Sequence, residues 1–223
     1  MSEPTQNSKT PVVAAIAAAV LVVVGGLVFL GTRGDDAPDP GTVASAACTF
    51  TPEGPASRPV DLPTEAPPDL ADVTLSTAFG TVKLALNGRD APCATASFLS
   101  LARQNYFDGT TCHRLATGGI KVLQCGSPDG QGTGGPGYSF PDENLAGATY
   151  PPGTVAMANS GPDTNGSQFF LVFGDTPLPP SFTPFGTITE GLAEIQALAL
   201  QGSTPATDGT PNADATIRTV TVD

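Results

Sequence analysis

The 223-residue chain has no tryptophan, one histidine, and nine lysines and arginines against 21 aspartates and glutamates. Each shortage closes a class of function. With His113 alone, no site that needs two imidazoles can form. A formal charge of -12 repels phosphate backbones and argues against nucleic acid as a partner. Charged residues make up only 13% of the sequence, too few for a long solvated coiled coil. No G-x-S-x-G elbow is present for a serine hydrolase. The four cysteines contain no C-x-x-C pair, which removes the usual zinc and thioredoxin patterns. GQGTGG, residues 130–135, has the letters of a dinucleotide-binding loop. Pro136 and Gly137 follow where its helix should begin, so it reads as an ordinary loop. No metal and no cofactor is expected.

What is abundant is equally informative. The 26 glycines and 23 prolines together make about a fifth of the chain, just below the level of low-complexity sequences, so a folded but loop-rich domain is expected. The run from Pro11 to Leu30 carries 20 residues without a charge, long enough as a helix to cross a bilayer. A cleaved signal peptide has a shorter apolar core, of about 7 to 15 residues. The run therefore reads as a retained single-pass anchor behind a cytoplasmic tail (1–10). All four cysteines, Cys48, Cys93, Cys112 and Cys125, follow the anchor and are even in number. Two disulfides outside the cytoplasm fit that pattern, with the C-terminal domain extracytoplasmic and the chain in the cell membrane. The segment 31–70 is dense in Pro, Asp, Gly and Thr without a period of 2 or 3.6, and reads as an extended stalk.

From Ala71 apolar residues alternate. Val73 and Leu75, a turn at Phe79-Gly80, then Val82, Leu84 and Leu86 predict a hairpin. Asp90 and Pro92 read as the cap and first turn of a helix whose buried face holds Ala94, Phe98, Leu101 and Ala102. A second helix is expected near Leu192, Ile195 and Leu198, stopping at Gly202, and a last strand at Thr216–Val222. Short β-rich stretches lie between the two helices. Asn165-Gly166-Ser167 has the letters of a glycosylation acceptor, but the Asn-Gly pair favours a tight turn.

The polar residues set among these strands carry a resemblance. FDGTTCHRL (107–115), LQCGSPDGQGTGGPGY (123–138), MANSGPDTNGSQFF (157–170) and PFG (184–186) together resemble the cyclophilin family of peptidyl-prolyl cis-trans isomerases, in particular membrane-anchored actinobacterial members. The resemblance covers residues 71–223. It implies a mainly β fold: an eight-stranded antiparallel barrel capped by two helices, with a peptide groove on its outer wall, here behind a transmembrane helix and a Pro-rich stalk. It implies that Arg114 is catalytic, that Gln124 and Gln168 are groove glutamines, and that Ala158 and Asn159 clamp the substrate backbone. Phe170 would form the floor of a proline pocket, with Val122, Leu178 and Phe182 lining it. The implied partners are proline-containing polypeptides, with cyclosporin-like ligands as a further class.

There are departures from the family pattern. Nine residues separate Arg114 from Gln124 where seven are usual, which enlarges the bend at 116–119. The pocket phenylalanine position falls on Lys121, Val122 replaces a methionine, Pro177 stands at a common tryptophan position, and Phe182 stands where a histidine is frequent. His113 reads as a satisfied structural histidine, because strand alternation puts it on the face opposite Arg114. The same alternation places Cys112 on the groove side and turns Cys125 away. A Cys112 to Cys125 bridge is then disfavoured unless a bulge in the enlarged bend reverses the parity, leaving Cys48 bonded to Cys112 or Cys125 and Cys93 to the other. The expected function is isomerisation of X-Pro bonds in exported proteins. The alternative is a catalytically weak proline-peptide-binding module or chaperone on the cell surface.

Overall fold

The computed structural model describes residues 43–45 and 48–223. The predicted tail, anchor and first part of the stalk lie outside the described residues, among which no helix is long and apolar enough to cross a membrane. In chain order the elements are β1 (Val43–Ser45), β2 (Cys48–Pro52), β3 (Leu70–Thr77), β4 (Gly80–Asn87) and α1 (Pro92–Arg103). There follow β5 (Thr110–Thr111), β6 (Arg114–Ala116), β7 (Val122–Cys125), β8 (Tyr138–Ser139), β9 (Thr154–Met157) and β10 (Phe169–Val172). The chain ends with β11 (Pro184–Glu190), α2 (Leu192–Ala199), β12 (Ser203–Thr204), β13 (Asp208–Pro211) and β14 (Thr216–Val222).

One antiparallel sheet runs β12-β13-β6-β7-β10-β9-β11-β4-β3-β14-β5, and β1-β2-β8 form a smaller one. The large sheet curls until β5 and β6, consecutive in the chain, are separated only by Cys112 and His113. The expected eight-stranded barrel is therefore a curled sheet whose hydrogen-bonded ladder is open at one point, where two residues of backbone bridge the gap. β3 and β4 form the predicted hairpin, with Val73, Leu75, Val82, Leu84 and Leu86 all buried. Across the interior α1 supplies Phe98, which meets Phe107 and Phe169 at ring separations of 4.9 and 5.2 Å.

The start of α1 differs in detail from its sequence signal. Asp90 accepts a bond from Asn87 and does not cap the helix. The first-turn N–H groups of Cys93 and Ala94 instead donate to the two carboxylate oxygens of Glu143, both at 2.9 Å. A carboxylate there also opposes the positive end of the helix dipole.

From Cys48 to Leu70 the Pro-rich segment lies along the domain as a strap. β2 pairs with β8, and the fully buried Phe50 packs on Tyr138 and Phe140 at 5.4 and 5.7 Å. The Arg58 guanidinium donates to the carbonyls of Asn105, Tyr106 and Asp108, and the Asp61 N–H donates to Gln104. Phe50, Val60 and Leu62 add apolar contact with the core to a stretch whose average composition reads as solvated.

The disulfides join Cys48 to Cys93 and Cys112 to Cys125. This corrects the pairing expected from strand alternation. Cys112 and His113 belong to no strand, so the alternation of β6 does not extend back to Cys112. The chain turns there, sending Cys112 into the core beside Cys125 with Cα atoms 3.9 Å apart. The Cys48–Cys93 bridge closes a separation of 45 residues and the other one of 13. Replacing Cys48 and Cys93 together by serine should cost about 2 to 4 kcal/mol by denaturant unfolding, and more than the same change at Cys112 and Cys125 on loop length alone. Equal stability of the Cys48/Cys93 variant and the parent would show that the strap holds without its staple.

Candidate active site

Alternation sorts the side chains of β6, β7, β9 and β10 onto two faces of one sheet. The pairs Arg114 with Gln124, Leu115 with Leu123 and Ala116 with Val122 fix the register of β6 on β7. Leu115, Leu123, Val155, Phe169 and Leu171 enter the inner core. Ala116, Val122, Ala156, Phe170 and Val172 form a second apolar cluster with Tyr150 on the outer face. Phe169 and Phe170, adjacent in sequence, thus belong to different cores.

Above the outer cluster is a cavity of about 500 Å³. Arg114, Val122, Gln124, Ala158, Asn159, Phe170, Leu178 and Phe182, all candidates from the sequence, line it together. Gln168 lines an adjoining polar cavity. The rings of Phe170 and Phe182 meet edge to face at 5.6 Å. Tyr150 holds Phe182 by its backbone, its hydroxyl donating to the carbonyl and accepting from the N–H. The Asn159 side-chain amide donates to the Ser181 carbonyl at 2.8 Å, tying the strand end to the same loop.

A chain of polar contacts runs along the rim. Arg114 Nε and Nη2 donate to the two carboxylate oxygens of Asp208 at 2.7 and 2.8 Å, and Nη1 donates to Gln124 Oε1 at 3.2 Å. Gln124 Nε2 then donates to Gln168 Oε1 at 3.0 Å, and Gln168 Nε2 to the Gly132 carbonyl at 3.1 Å. Both glutamine amides are oriented by this sequence of donors. Three of the five guanidinium N–H groups are engaged and two remain for a ligand. The bond to Asp208 raises the Arg114 pKa above its ordinary value and lowers that of Asp208. Sequence reasoning missed Asp208. It lies on β13, 94 residues from Arg114, and only the pairing of β13 with β6 brings it there.

Two expectations about individual residues are corrected. Lys121 does not line the cavity. Its ammonium is bonded to the carbonyls of Thr117 and Gly118 in the enlarged bend. Ile120 lines the cavity in its place, packed on the outer cluster. His113 lines the same cavity as Arg114, and its buried Nδ1 has no hydrogen-bond partner among the described residues. The break between β5 and β6 explains this too, since residues 113 and 114 do not alternate across a regular strand. Burial is the main cause that pushes the His113 pKa below 6.5, with Arg114 pushing the same way and Asp129 opposing. Asn165 is also no glycan acceptor in the folded domain: it is fully buried and donates to Phe140 and Asp142.

The comparisons with known proteins agree with this geometry. A family model described as cyclophilin type peptidyl-prolyl cis-trans isomerase matches residues 72–222. The chain is 43% identical over 204 residues to a probable peptidyl-prolyl cis-trans isomerase B of Mycobacterium tuberculosis, covering 82% of this chain and 66% of that one. It is 39% identical over 181 residues to the peptidyl-prolyl cis-trans isomerase A of the same species, covering 73% and 97%. A crystal structure of a cyclophilin type isomerase from Cryptosporidium parvum superposes with a TM-score of 0.63 at 29% identity, covering 69% of this chain and 98% of that one.

Two measurements test the site's geometry. Ile120→Ala should weaken binding of apolar proline peptides by about 1 kcal/mol or more, from lost apolar contact, whereas Lys121→Phe should not tighten it. The reverse ranking by calorimetry would return Lys121 to the pocket. His113 is held neutral more strongly when folded than when unfolded. The unfolded chain therefore takes up the proton first, and stability should fall as pH drops below about 6.5. In His113→Asn this component of the Tm against pH profile should vanish.

Proposed function

The chain belongs to the cyclophilin-type peptidyl-prolyl cis-trans isomerase family, and we propose that Arg114 and its neighbours catalyse X-Pro isomerisation in proteins exported across the membrane. The observation that carries the catalytic reading is the placing of Arg114 at the edge of an apolar cavity floored by Phe170.

The barrier to turning an X-Pro amide comes from resonance in the C–N bond, about 18 to 20 kcal/mol for a peptide bond. At the twisted geometry that resonance is lost and the proline nitrogen regains a lone pair. A guanidinium N–H directed at that nitrogen stabilises the twisted state and leaves the planar states unaided, which is the differential binding that catalysis requires. One hydrogen bond to a charged group is worth about 1.5 to 3 kcal/mol, or one to two powers of ten in rate. Orientation supplies the rest. Phe170, Val122, Ile120, Leu178 and Phe182 hold the ring, while Gln124, Gln168 and the Ala158–Asn159 backbone fix the flanking peptide groups. Asp208 keeps the guanidinium plane from swinging. The pair is 39% and 52% exposed, so its own contribution to stability is small.

The setting outside the cytoplasm is supported by two features. Residues 11–30 have the length and composition of an anchor. All four cysteines are paired, which suits an oxidising compartment. A relative of the family has been solved in the presence of the dipeptide Ala-Pro, consistent with proline-containing polypeptides as substrates here.

Arg114→Ala in the full chain should lower kcat/KM for a proline peptide by about tenfold or more with little change in Tm, read by NMR exchange. Arg114→Lys should not restore the rate, because a point charge replaces a planar fork. Parent-like rates in Arg114→Ala would remove the arginine from the mechanism.

A further inference from the structure

The apolar cavity does not end at Asn159. A second cavity of about 400 Å³ shares Gln124, Gly132, Ala158 and Asn159 with it, so the two form one trough. The far wall of the second cavity is built from the strap: Glu53, Pro55 and Ser57. These residues lie outside the stretch 72–222 that the family model matches. The wall is held firmly. The Glu53 N–H donates to the Gly137 carbonyl at 2.8 Å, the Ser57 N–H to the Gly135 carbonyl at 2.9 Å, and the Gly135 N–H to Ser57 Oγ at 3.1 Å. A side chain at Gly137 would meet the Ala56 nitrogen at 2.8 Å, and one at Gly134 would strike Ser57 Oγ. The glycines of the loop therefore permit the strap to lie against it.

Among the residues lining this second cavity Glu53 alone is charged. Its carboxylate takes no hydrogen bond and enters no ion pair among the described residues. Among the described cations none pairs with Glu53: Lys83 pairs with Glu190, Arg89 with Asp69, Arg103 with Glu65 and Arg114 with Asp208, and Arg218 acts on Asp214. Arg58 and Lys121 are bonded to backbone carbonyls. A chain of net charge -12 thus presents an uncompensated carboxylate at the end of its substrate trough.

We propose that the strap adds a charge-selecting wall to this second cavity, in which Glu53 favours substrates carrying lysine or arginine a few residues from the X-Pro bond. The proposal rests on the isomerase reading and adds the substrate class. A cationic side chain seated in this cavity is attracted by the Glu53 carboxylate, while an acidic one at the same place is repelled. Because Glu53 is exposed, the selection is graded and salt-dependent.

The test uses the full chain and short peptides with one X-Pro bond, in which each position on either side of the proline is in turn lysine, glutamine or glutamate. Dissociation constants come from NMR titration, and exchange rates of the X-Pro bond are read on the same samples. At one or two positions lysine should bind roughly fivefold tighter than glutamate, the size expected for an exposed pair gained and a repulsion avoided, and the gap should close at high salt. Glu53→Gln should bring the ratio near one, and Glu53→Lys should invert it. Equal affinity at every position, or a lysine preference that survives Glu53→Gln, would overturn the proposal. Catalysed exchange without preference would defeat this inference alone, whereas a preference without catalysed exchange would defeat the isomerase reading.

Discussion

The two residues between β5 and β6 determine more of this molecule than any element of regular structure. β5 pairs with β14 and β6 with β7 and β13, so Cys112 and His113 are where the curled sheet comes back on itself. Had the strand run straight through, Cys112 would share a face with Arg114. The interruption turns Cys112 inward to its disulfide with Cys125 and leaves His113 and Arg114 both on the groove side. One local departure from period 2 thereby closes the sheet, staples the closure, and sets the guanidinium at the mouth of the apolar cavity. That arrangement leaves the His113 Nδ1 buried without a hydrogen-bond partner among the described residues.

The sheet then serves two apolar clusters at once. Most antiparallel sheets put one face to the core and the other to water, but here β7, β9 and β10 are buried on both sides. Water is kept from the outer face by the loop around Leu178 and Phe182 and by Tyr150, which pins that loop through two bonds to Phe182. A concave apolar surface with a polar rim follows directly. The rim is ordered by the donor sequence from Arg114 through Gln124 and Gln168 to Gly132, in which each amide has only one orientation that satisfies both neighbours.

How legible this was in the sequence depends on range. The hairpin, both helices and the last strand follow from local period and turn chemistry, and the structure has them at the expected residues. The groove candidates were legible through a long shared motif, and the register of β6 on β7 and β10 brings them to one cavity. Contacts made at long sequence separation were not legible. Glu143 caps α1 from 50 residues away, and Asp208 reaches Arg114 from 94. Neither has a local signature. The disulfide pairing was hidden for a different reason: alternation along a continuous strand disfavours Cys112 with Cys125, and two residues without a ladder reverse that parity. The strap was legible only in part: a bond from Cys48 was expected to staple the stalk to the domain, and one does, but the docking of the rest of it has no signal in composition. Pro-rich composition describes the average of a segment, whereas docking is decided by single anchors such as Phe50.

Glu143 links these parts in a way that bears on function. Its two carboxylate oxygens accept from the N–H groups of Cys93 and Ala94, and Cys93 is bonded to Cys48 at the root of the strap. Its own N–H donates to Thr183 Oγ1, adjacent to Phe182 in the groove wall, and the Thr183 carbonyl accepts from Met157 next to Ala158. Burial pushes the Glu143 carboxyl above its ordinary pKa, and the two N–H donors oppose that shift. The strap, the first helix and the groove wall are thus tied at one side chain. A segment added ahead of the family domain can then shape the trough without distorting the arginine, because its anchor enters through the helix cap, while the guanidinium is oriented separately by Asp208 and Gln124.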